Sequence, residues 1–568
     1  MGAAEARPVA PVFCRVVLLT RREALRIGLG AGAAAYLAPP SLLRRAGAAG
    51  CAPLLPPGTL PFPSRPAGVP QPDLAPELAN IDHIFILMME NKSFDAYFGM
   101  LPHSPVTGPR LAGRVDGFRA LAADGRPTDT LPDRDGRWYR SFPNQRSCAT
   151  AKPDVSWDYS HHAYNGAAMD GFVNYHSGEA AMGYWDEHIL STYYSLAAHF
   201  PVGDRYFSST LASTDPNRLF SICGSAVGST DTQRPSAGNP TNLTQVSPPN
   251  GHIFELLDHH GIGWASFCGS VPVAGLIAGG YAEQHAANIH IGGGNDGAVV
   301  ALRAFIDAGL LPPVVFLEPD YILGSEENPN DIDAGQSFSY QAITAIMGDH
   351  ALWMRSLILY CYDESGGYYD HVTPPPAPQP GDGTHPGLPR EHWFGDDYTR
   401  YGFRVPNLVI SPWARADHVS HVVRDHGSLL RTIETKWNLP AFTARDANAV
   451  DFRECLVSSG PPPFAQPPPV ASCPDPSLAE DIACNQGRAD TGPVAPAVPA
   501  PASPTRPEII TVARPCAGTG AASSAAPPGS ASTLPGTSPA ASIETAGAAL
   551  AALATAARAG RTQRDAQQ

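Results

Sequence analysis

The chain has 568 residues, of which 43% are hydrophobic, and a formal net charge of −15 at pH 7. This length and apolar content are sufficient for a large catalytic domain with additional segments. The excess of carboxylates excludes electrostatic steering towards nucleic acid or an anionic membrane, because both are negatively charged. Any lipid contact must therefore be apolar or local.

The amino-terminal segment has the order of an export signal. Thr20-Arg21-Arg22 precedes a mildly apolar, Gly/Ala-rich segment over residues 27–38, which is similar to a twin-arginine signal. The alternative is a surface helix that carries two arginines. We expect residues 1–51 to be an export signal and the protein to reach the periplasm, the cell envelope or the exterior.

Composition divides the remainder into three parts. Residues 52–77 are Pro-rich and predict a linker, residues 78–445 have the mixed composition of a catalytic domain, and residues 446–568 are a Pro/Ala-rich tail. We expect that tail to be disordered, because it has few large apolar side chains with which to build a core. Beyond the amino terminus, no run of residues is apolar enough to predict a membrane span.

The ten cysteines form neither a CxxC pair nor a Cys/His pattern typical of zinc sites. In an exported protein some of them could form disulfides. Cys473 and Cys484 are the best local candidates for a disulfide, because both lie in loop-like sequence. Cys223 and Cys361 lie in apolar runs, and we expect them to be free and buried.

The first strong strand pattern ends at a polar pair. An unbroken apolar run from Ile84 to Met89 is followed by Glu90 and Asn91. Such a run is typical of a central parallel strand buried on both faces. Open α/β sheets bind ligands at the carboxyl ends of their strands. We expect Glu90 and Asn91 to be ligands in a site, with an ordinary strand end and turn as the alternative.

A second strand pattern ends in adjacent acids. The apolar run over residues 357–362 is followed by Asp363 and Glu364. Neighbouring carboxylates repel each other unless a positive charge compensates, and a hard divalent cation takes oxygen ligands of this type. The pattern indicates a divalent metal site, with a solvated loop as the alternative.

A hydroxyl stands at a predicted helix start. Thr214 is followed by Asp215 and Pro216, and proline is favoured in the first turn of a helix. Backbone N–H groups and the dipole favour a phosphate at such an end. A plain capping threonine would give the same pattern.

These segments closely resemble, in the same order, the motifs of the bacterial phosphoesterase family. The matching segments are residues 81–99, residues 213–220 and residues 425–430. The family contains phosphatidylcholine-type phospholipases C and acid phosphatases, and its fold belongs to the alkaline phosphatase superfamily. The resemblance implies an α/β fold with a mostly parallel central sheet flanked by helices.

The resemblance also implies roles for individual side chains. Four of them would hold or neighbour a divalent metal of unidentified type: Glu90, Asn91, Asp363 and Glu364. Thr214 would join them and attack phosphorus, giving a phosphothreonine that water then hydrolyses. Three histidines would bind phosphate oxygens or move protons: His161, His371 and His426. For His161 the alternative is a loop histidine that caps nearby carbonyls.

The chain departs from the family pattern at Asn328, which stands before Pro329 where family members usually carry histidine. Asparagine cannot donate a proton to a leaving group, although its amide could hold a phosphate oxygen. Three readings follow for the phosphoester substrate. The protein is a phospholipase C that acts on phospholipid, a nonspecific acid phosphatase, or a catalytically impaired surface protein on the same scaffold.

Overall fold

The computed structural model describes residues 53–70, 73–149, 151–174, 177–233, 244–486, 497–501 and 507–510. The predicted export signal therefore lies outside the described residues. The strands are β1 (His83–Met89), β2 (Thr130–Pro132), β3 (Trp138–Arg140), β4 (Phe142–Pro143), β5 (Gly183–Tyr184), β6 (Val202–Gly203), β7 (Trp264–Cys268), β8 (Ile289–Ile291), β9 (Val314–Glu318), β10 (Ser356–Tyr362), β11 (Val372–Thr373), β12 (Asn407–Ile410), β13 (Val419–Ser420) and β14 (Glu508–Ile509). The α-helices are α1 (Phe94–Phe98), α2 (Gly108–Leu111), α3 (Trp157–Tyr164), α4 (Ser191–Ala197), α5 (Thr214–Cys223), α6 (Ile253–His259), α7 (Tyr281–Gln284), α8 (Asn295–Asp307), α9 (Ile332–Gly348), α10 (His350–Trp353), α11 (Gly427–Trp437), α12 (Ala444–Ala447) and α13 (Leu478–Asn485).

Eight strands form one central sheet in the order β13-β6-β12-β10-β1-β9-β7-β8. The pairs β10-β1, β1-β9, β9-β7 and β7-β8 are all parallel, whereas β12 runs antiparallel to β10. Helices α8 and α9 pack together and α8 contacts β7, while α11 contacts α5. The predicted α/β class with a mostly parallel sheet is confirmed.

The central position of β1 follows from its apolar side chains. Every residue of β1 from Ile84 to Met89 is buried, and β1 lies between β10 and β9. Each large apolar side chain removed from water stabilises the fold by about 1.5–3 kcal/mol. The carboxyl ends of the five parallel strands lie along one edge of the sheet, and the polar pairs that follow β1 and β10 are placed there.

The disulfide differs from the sequence expectation. Cys484 pairs with Cys148, 336 residues away, and Cys473 is free. The two local candidates, Cys473 and Cys484, therefore do not pair with each other, since proximity in sequence does not decide which thiols meet in a fold. Cys223 and Cys361 are free and buried, as predicted.

Part of the predicted tail takes part in the fold. Helix α13 carries Cys484, and the Asn485 side chain donates a hydrogen bond to the Asn330 side chain at 2.7 Å. The proposed boundaries of the linker, domain and tail themselves stay a prediction. Within the described ranges, no helix combines the length and apolar content needed to cross a membrane.

Candidate active site

Glu90 and Asn91 follow β1 directly and are buried. Asn91 has a left-handed backbone conformation with φ of 66°, which is uncommon outside glycine and is often found at functional sites. A Cβ on Gly366 would lie 2.0 Å from the carbonyl oxygen of Asn91. The loop after β10 can therefore approach Asn91 this closely only with glycine at position 366.

The second acid pair lies beside the first. The backbone N–H groups of Asn91 and Glu364 donate to Oδ1 of Asp363 at 3.1 and 2.7 Å. The other oxygen of Asp363 accepts a hydrogen bond from Nε of Arg218 at 3.0 Å. Arg218 also donates to the carbonyl of Met89, the last residue of β1, at 3.1 Å. The Arg218 guanidinium therefore connects the carboxyl ends of β1 and β10 through hydrogen bonds.

Thr214 is brought to the same place by α5. It is the first residue of that helix and is buried, and its Oγ1 donates to Oδ1 of Asn91 at 3.4 Å. The helix start offers fewer N–H groups than the sequence suggested. The N–H of Asp215 donates to Oγ1 of Thr232 at 2.9 Å, and Pro216 has none. At this helix end the group available to a substrate is therefore the Thr214 hydroxyl and not a set of free backbone N–H groups.

Burial without enough positive charge raises the pKa values of the carboxyl groups. The pKa of Glu90 rises to about 8 because the group is desolvated and faces the carboxylates of Glu327 and Asp363. Burial and repulsion from Asp363 hold the pKa of Glu364 well above its usual range. Burial also raises the pKa of Asp363, although Arg218 opposes the rise. The site therefore has an excess of negative charge that a bound cation would offset.

The donor set fits a hard divalent cation. Oε2 of Glu90 and Oε1 of Glu364 are buried and have no hydrogen-bond partner among the described residues, and unpaired buried polar atoms are costly. Carboxylate and amide oxygens are the ligands that such cations take. The carboxylates of Glu90, Asp363 and Glu364 do not converge within 4.8 Å of one another, as the ligand atoms of Asp95, Asp370 and His371 do. Shared coordination would require the three carboxylates to move together.

Lys92 and Asn328 form a buried polar link behind the acids. Nζ of Lys92 donates to Oδ1 of Asn328 at 3.1 Å and to the carbonyl of Glu326. Nδ2 of Asn328 donates to the carbonyls of Ala149 and Ala151 at 2.7 and 2.8 Å. Both polar atoms of the Asn328 amide are therefore engaged within the protein.

A small cleft opens above this link. Its walls are Asn91, Lys152, Pro153, Val155, Glu327, Asn328, Gly366 and Tyr368. Nζ of Lys152 lies 2.5 Å from Oε1 of Glu327, so the wall of the cleft carries one ammonium group and a carboxylate that pairs with it.

The three predicted histidines lie in different surroundings. His426 is buried below the metal-ligand candidates, where its Nε2 donates to the carbonyl of Asp363 at 2.7 Å and its Nδ1 accepts from the Tyr206 hydroxyl at 3.0 Å. Burial lowers the pKa of His426 to about 3. The neutral ring therefore supports the Asp363 backbone and has no nitrogen left for a phosphate.

His371 belongs to a separate buried ion cluster. Its Nδ1 lies 2.7 Å from Asp95 and its Nε2 lies 3.2 Å from Asp116, while Arg404 bonds both Asp95 and Asp370. Burial alone would lower the pKa of His371, but the carboxylates of Asp95 and Asp116 raise it to about 10. These contacts give His371 a structural role, and its predicted role at phosphate is not supported by them.

His161 lies on α3, with Nδ1 2.8 Å from the Trp157 carbonyl and Nε2 3.3 Å from Asp396. Its ring stacks on Phe394 at 5.0 Å between centroids. Neither nitrogen bonds to Thr214. Its place in the reaction stays a prediction.

Sequence reasoning missed three positively charged side chains of the site. Arg218 stands four residues after Thr214, a spacing that places both on one face of a helix, so the helix prediction could have found it. Lys92 follows Asn91 directly, but its contact with residue 328 depends on the folded chain. The pairing of Lys152 with Glu327 likewise has no local signal.

Comparison with known proteins identifies the family of the chain. The model of the phosphoesterase family matches residues 81–440. Phospholipase C B of Mycobacterium tuberculosis is 29% identical over 437 residues, covering 69% of this chain and 80% of that protein. Non-hemolytic phospholipase C of Pseudomonas aeruginosa is 27% identical over 72% of this chain and 61% of its own length.

More distant matches come from plants and from solved structures. Non-specific phospholipase C3 of Arabidopsis thaliana is 26% identical over 64% of this chain and 71% of its own length. A protein in the alkaline phosphatase superfamily from Vibrio parahaemolyticus is 10% identical, covers 63% of this chain and 80% of its own, and has a TM-score of 0.28. At that score the structural likeness adds nothing to the sequence match.

Proposed function

The chain belongs to the phosphoesterase family and is an enzyme that acts on phosphoric esters, and from that premise we propose a metal-dependent, exported phospholipase C that works through a phosphothreonine. The observation that carries the proposal is the position of Thr214. Its hydroxyl lies 3.4 Å from the Asn91 amide oxygen, at the strand end where Glu90 and Glu364 each have an unpaired carboxylate oxygen.

The reaction follows from the hydroxyl and its neighbours. Oγ1 of Thr214 gives up its proton to water and attacks phosphorus, an O–P bond forms, and the bond from phosphorus to the leaving alcohol breaks in line with it while the departing oxygen takes up a proton from water. Water then cleaves the phosphothreonine and frees the hydroxyl. A divalent cation held by Glu90, Asn91, Asp363 and Glu364 would lower the pKa of the hydroxyl and offset the phosphate charge.

Other residues position these groups. Arg218 fixes Asp363 and the end of β1, and His426 holds the Asp363 carbonyl from below. Lys152 in the wall of the cleft pairs with Glu327 and opposes the charge of Glu364. The burial of Thr214, Glu90 and Glu364 limits water around the reacting phosphorus and strengthens each electrostatic contact.

The substrate class is decided by comparing three esters. The enzyme should hydrolyse p-nitrophenyl phosphorylcholine and phosphatidylcholine micelles faster than p-nitrophenyl phosphate, because a phospholipase C cleaves a phosphodiester. A preference for p-nitrophenyl phosphate would favour the nonspecific acid phosphatase instead. No turnover of any ester with metal added would favour the impaired binding protein.

Asn328→His should increase turnover selectively for esters with poor leaving groups. Histidine can give a proton to an alkyl alcohol, whereas nitrophenolate departs without one, and general acid catalysis is worth about 10²- to 10⁴-fold. The Asn328 amide is engaged by Lys92, Ala149 and Ala151, so it is not free to hold a phosphate oxygen. The measurement is kcat for an alkyl and a nitrophenyl phosphodiester in both proteins. An equal change for both esters would contradict an acid role at this position.

Replacing Arg21 and Arg22 by lysine should keep the protein in the cytoplasm, because a twin-arginine signal depends on both guanidinium groups. The Cys148–Cys484 disulfide supports the proposed export, since disulfides persist in oxidising compartments. Cell fractionation of the two forms measures the result. Continued export of the lysine form would assign the export to another signal.

A further inference from the structure

Three exposed apolar side chains follow neighbouring strands on one side of the candidate active site. Val271 comes after β7, Ile291 ends β8, and Ile322 comes after β9, with exposed fractions of 49%, 48% and 64%. These strands are parallel to β1, so the three residues lie at the same edge of the sheet as Glu90. Isolated exposed apolar residues are common, but three at one edge form a candidate contact surface.

A hydrogen bond links the loops that carry two of these residues, and one of the loops contacts the candidate active site. The N–H of Tyr321 donates to Oγ of Ser270 at 3.0 Å, which places the loops that carry Val271 and Ile322 together. The ring of Tyr321 lies 4.6 Å from the guanidinium carbon of Arg218. Arg218 also bonds Asp363. The Arg218 side chain therefore connects Tyr321, in the loop after β9, to one of the residues proposed to hold the metal.

Positive side chains are rare in the part of the chain that carries this surface. Residues 269–354, which contain β8, β9 and the loops in question, have a single arginine, Arg303, and no lysine, against ten aspartates and glutamates, of which Glu318, Glu326, Glu327 and Asp331 are buried. Arg303 is carried by α8, and its side chain reaches the Gln341 carbonyl on α9 at 3.5 Å. Asp320 accepts a hydrogen bond from the N–H of Ile322 at 2.9 Å, so a carboxylate lies next to the most exposed of the three apolar residues.

We propose that Val271, Ile291 and Ile322 form a docking surface for zwitterionic phospholipid, which they hold against the sheet edge that carries the active site. The proposal rests on the proposed function and adds the physical form of the substrate, a lipid surface rather than a dissolved ester. Apolar side chains enter the interfacial region, and nearby carboxylates favour the outward ammonium of a choline headgroup. The same carboxylates repel an anionic surface.

The test measures vesicle binding apart from catalysis. The full chain and a Val271→Ser/Ile322→Ser variant are sedimented with phosphatidylcholine vesicles, and with vesicles that also contain phosphatidylglycerol. Leu310→Ser is the matched control, because Leu310 is also 64% exposed but precedes β9 at the opposite edge of the sheet. We expect the double variant to bind phosphatidylcholine about tenfold more weakly or worse, and Leu310→Ser to bind as the parent does.

Hydrolysis of dissolved p-nitrophenyl phosphorylcholine should be unchanged in the double variant, whereas hydrolysis of vesicles should fall with binding. If all forms bind vesicles alike, or if phosphatidylglycerol tightens binding, the proposal is overturned. It is also overturned if size exclusion shows that the parent is a dimer and the double variant a monomer, because the surface would then be a contact between copies of the chain. Failure of every form to hydrolyse the dissolved ester would count against the proposed function, while the vesicle binding would still test the surface.

Discussion

Thr214→Ala is expected to reduce kcat on a phosphodiester by a factor on the order of 10³ to 10⁶, the range seen when a nucleophile is removed. The hydroxyl is the only group lost from the reacting position, and alanine has no oxygen with which to form a bond to phosphorus. The remaining activity would come from binding and charge stabilisation by the rest of the site.

The fold should tolerate this change. The hydrogen bond from Thr214 to Asn91 is 3.4 Å long, and the loss of such a bond costs about 1 kcal/mol in the free energy of unfolding. Thermal unfolding of the variant should therefore stay within a few degrees of that of the parent. A large fall in kcat without a large fall in Tm separates a chemical role from a structural one.

Two neighbouring changes serve as controls. Thr214→Ser keeps a hydroxyl at the same atom and should retain measurable turnover. Ser213→Ala removes a hydroxyl one residue earlier, where its Oγ bonds Thr232 and no other described residue, and it should keep most of kcat. Trapping with a labelled substrate should give phosphothreonine in the parent and none in Thr214→Ala. Near-parental kcat in the alanine variant would remove Thr214 from the mechanism.

The strand ends were predictable because the signal is local. An apolar run followed by a polar pair identifies a buried strand and the residues at its carboxyl end, and no distant contact is needed. The structure places Glu90, Asn91, Thr214 and Asp363 together, in agreement with that expectation. Their grouping follows from the parallel order of β1 and β10, which the α/β pattern already favoured.

The hydrogen-bond partners of the histidines could not be predicted from the sequence. His371 stands seven residues after Glu364 in the sequence, yet its two nitrogens are held by Asp95 and Asp116. Which carboxylate a histidine meets depends on elements far apart in the chain. The same limit explains the disulfide, because Cys148 and Cys484 meet only after α13 packs against the loops near residue 330.

Removal of metal is expected to abolish turnover, and readdition of a divalent cation is expected to restore it. The cause is the charge of the site, where Arg218 opposes the buried carboxylates of Glu90 and Asp363, and Lys152 opposes that of Glu364. Without a cation, the phosphate of the substrate would add negative charge to a site that already repels it. Dialysis against a chelator and metal analysis of the protein measure this directly. Full turnover by protein shown to contain no metal would refute the proposed role of these carboxylates.

The pH dependence of metal binding gives a second readout that does not depend on activity. In the metal-free protein the pKa of Glu90 is raised from 4.5 to about 8, so the folded state binds more protons than the unfolded state between these values. The stability of the metal-free protein should therefore fall as pH rises through this window. A cation must displace the proton, so its apparent affinity should rise by up to about tenfold per pH unit until pH 8. The gain in Tm on adding metal should accordingly be larger at pH 8 than at pH 5.

A pair of matched variants decides whether Glu90 is the group responsible. Glu90→Gln removes one titrating carboxylate and should weaken metal binding while it reduces the proton release seen by calorimetry in buffers of different ionisation enthalpy, because Glu364 and Asp363 also have raised pKa values. Glu318→Gln is the control, because Glu318 is a buried carboxylate at the end of β9 whose oxygens accept from Ser266, Tyr321 and the N–H of Val273 at 2.7–3.0 Å. A carboxylate with its oxygens already bonded has little to offer a cation, so this variant should bind metal and release protons as the parent does. Equal losses in both variants would mean that buried charge in general, and not a ligand at Glu90, governs the uptake of metal.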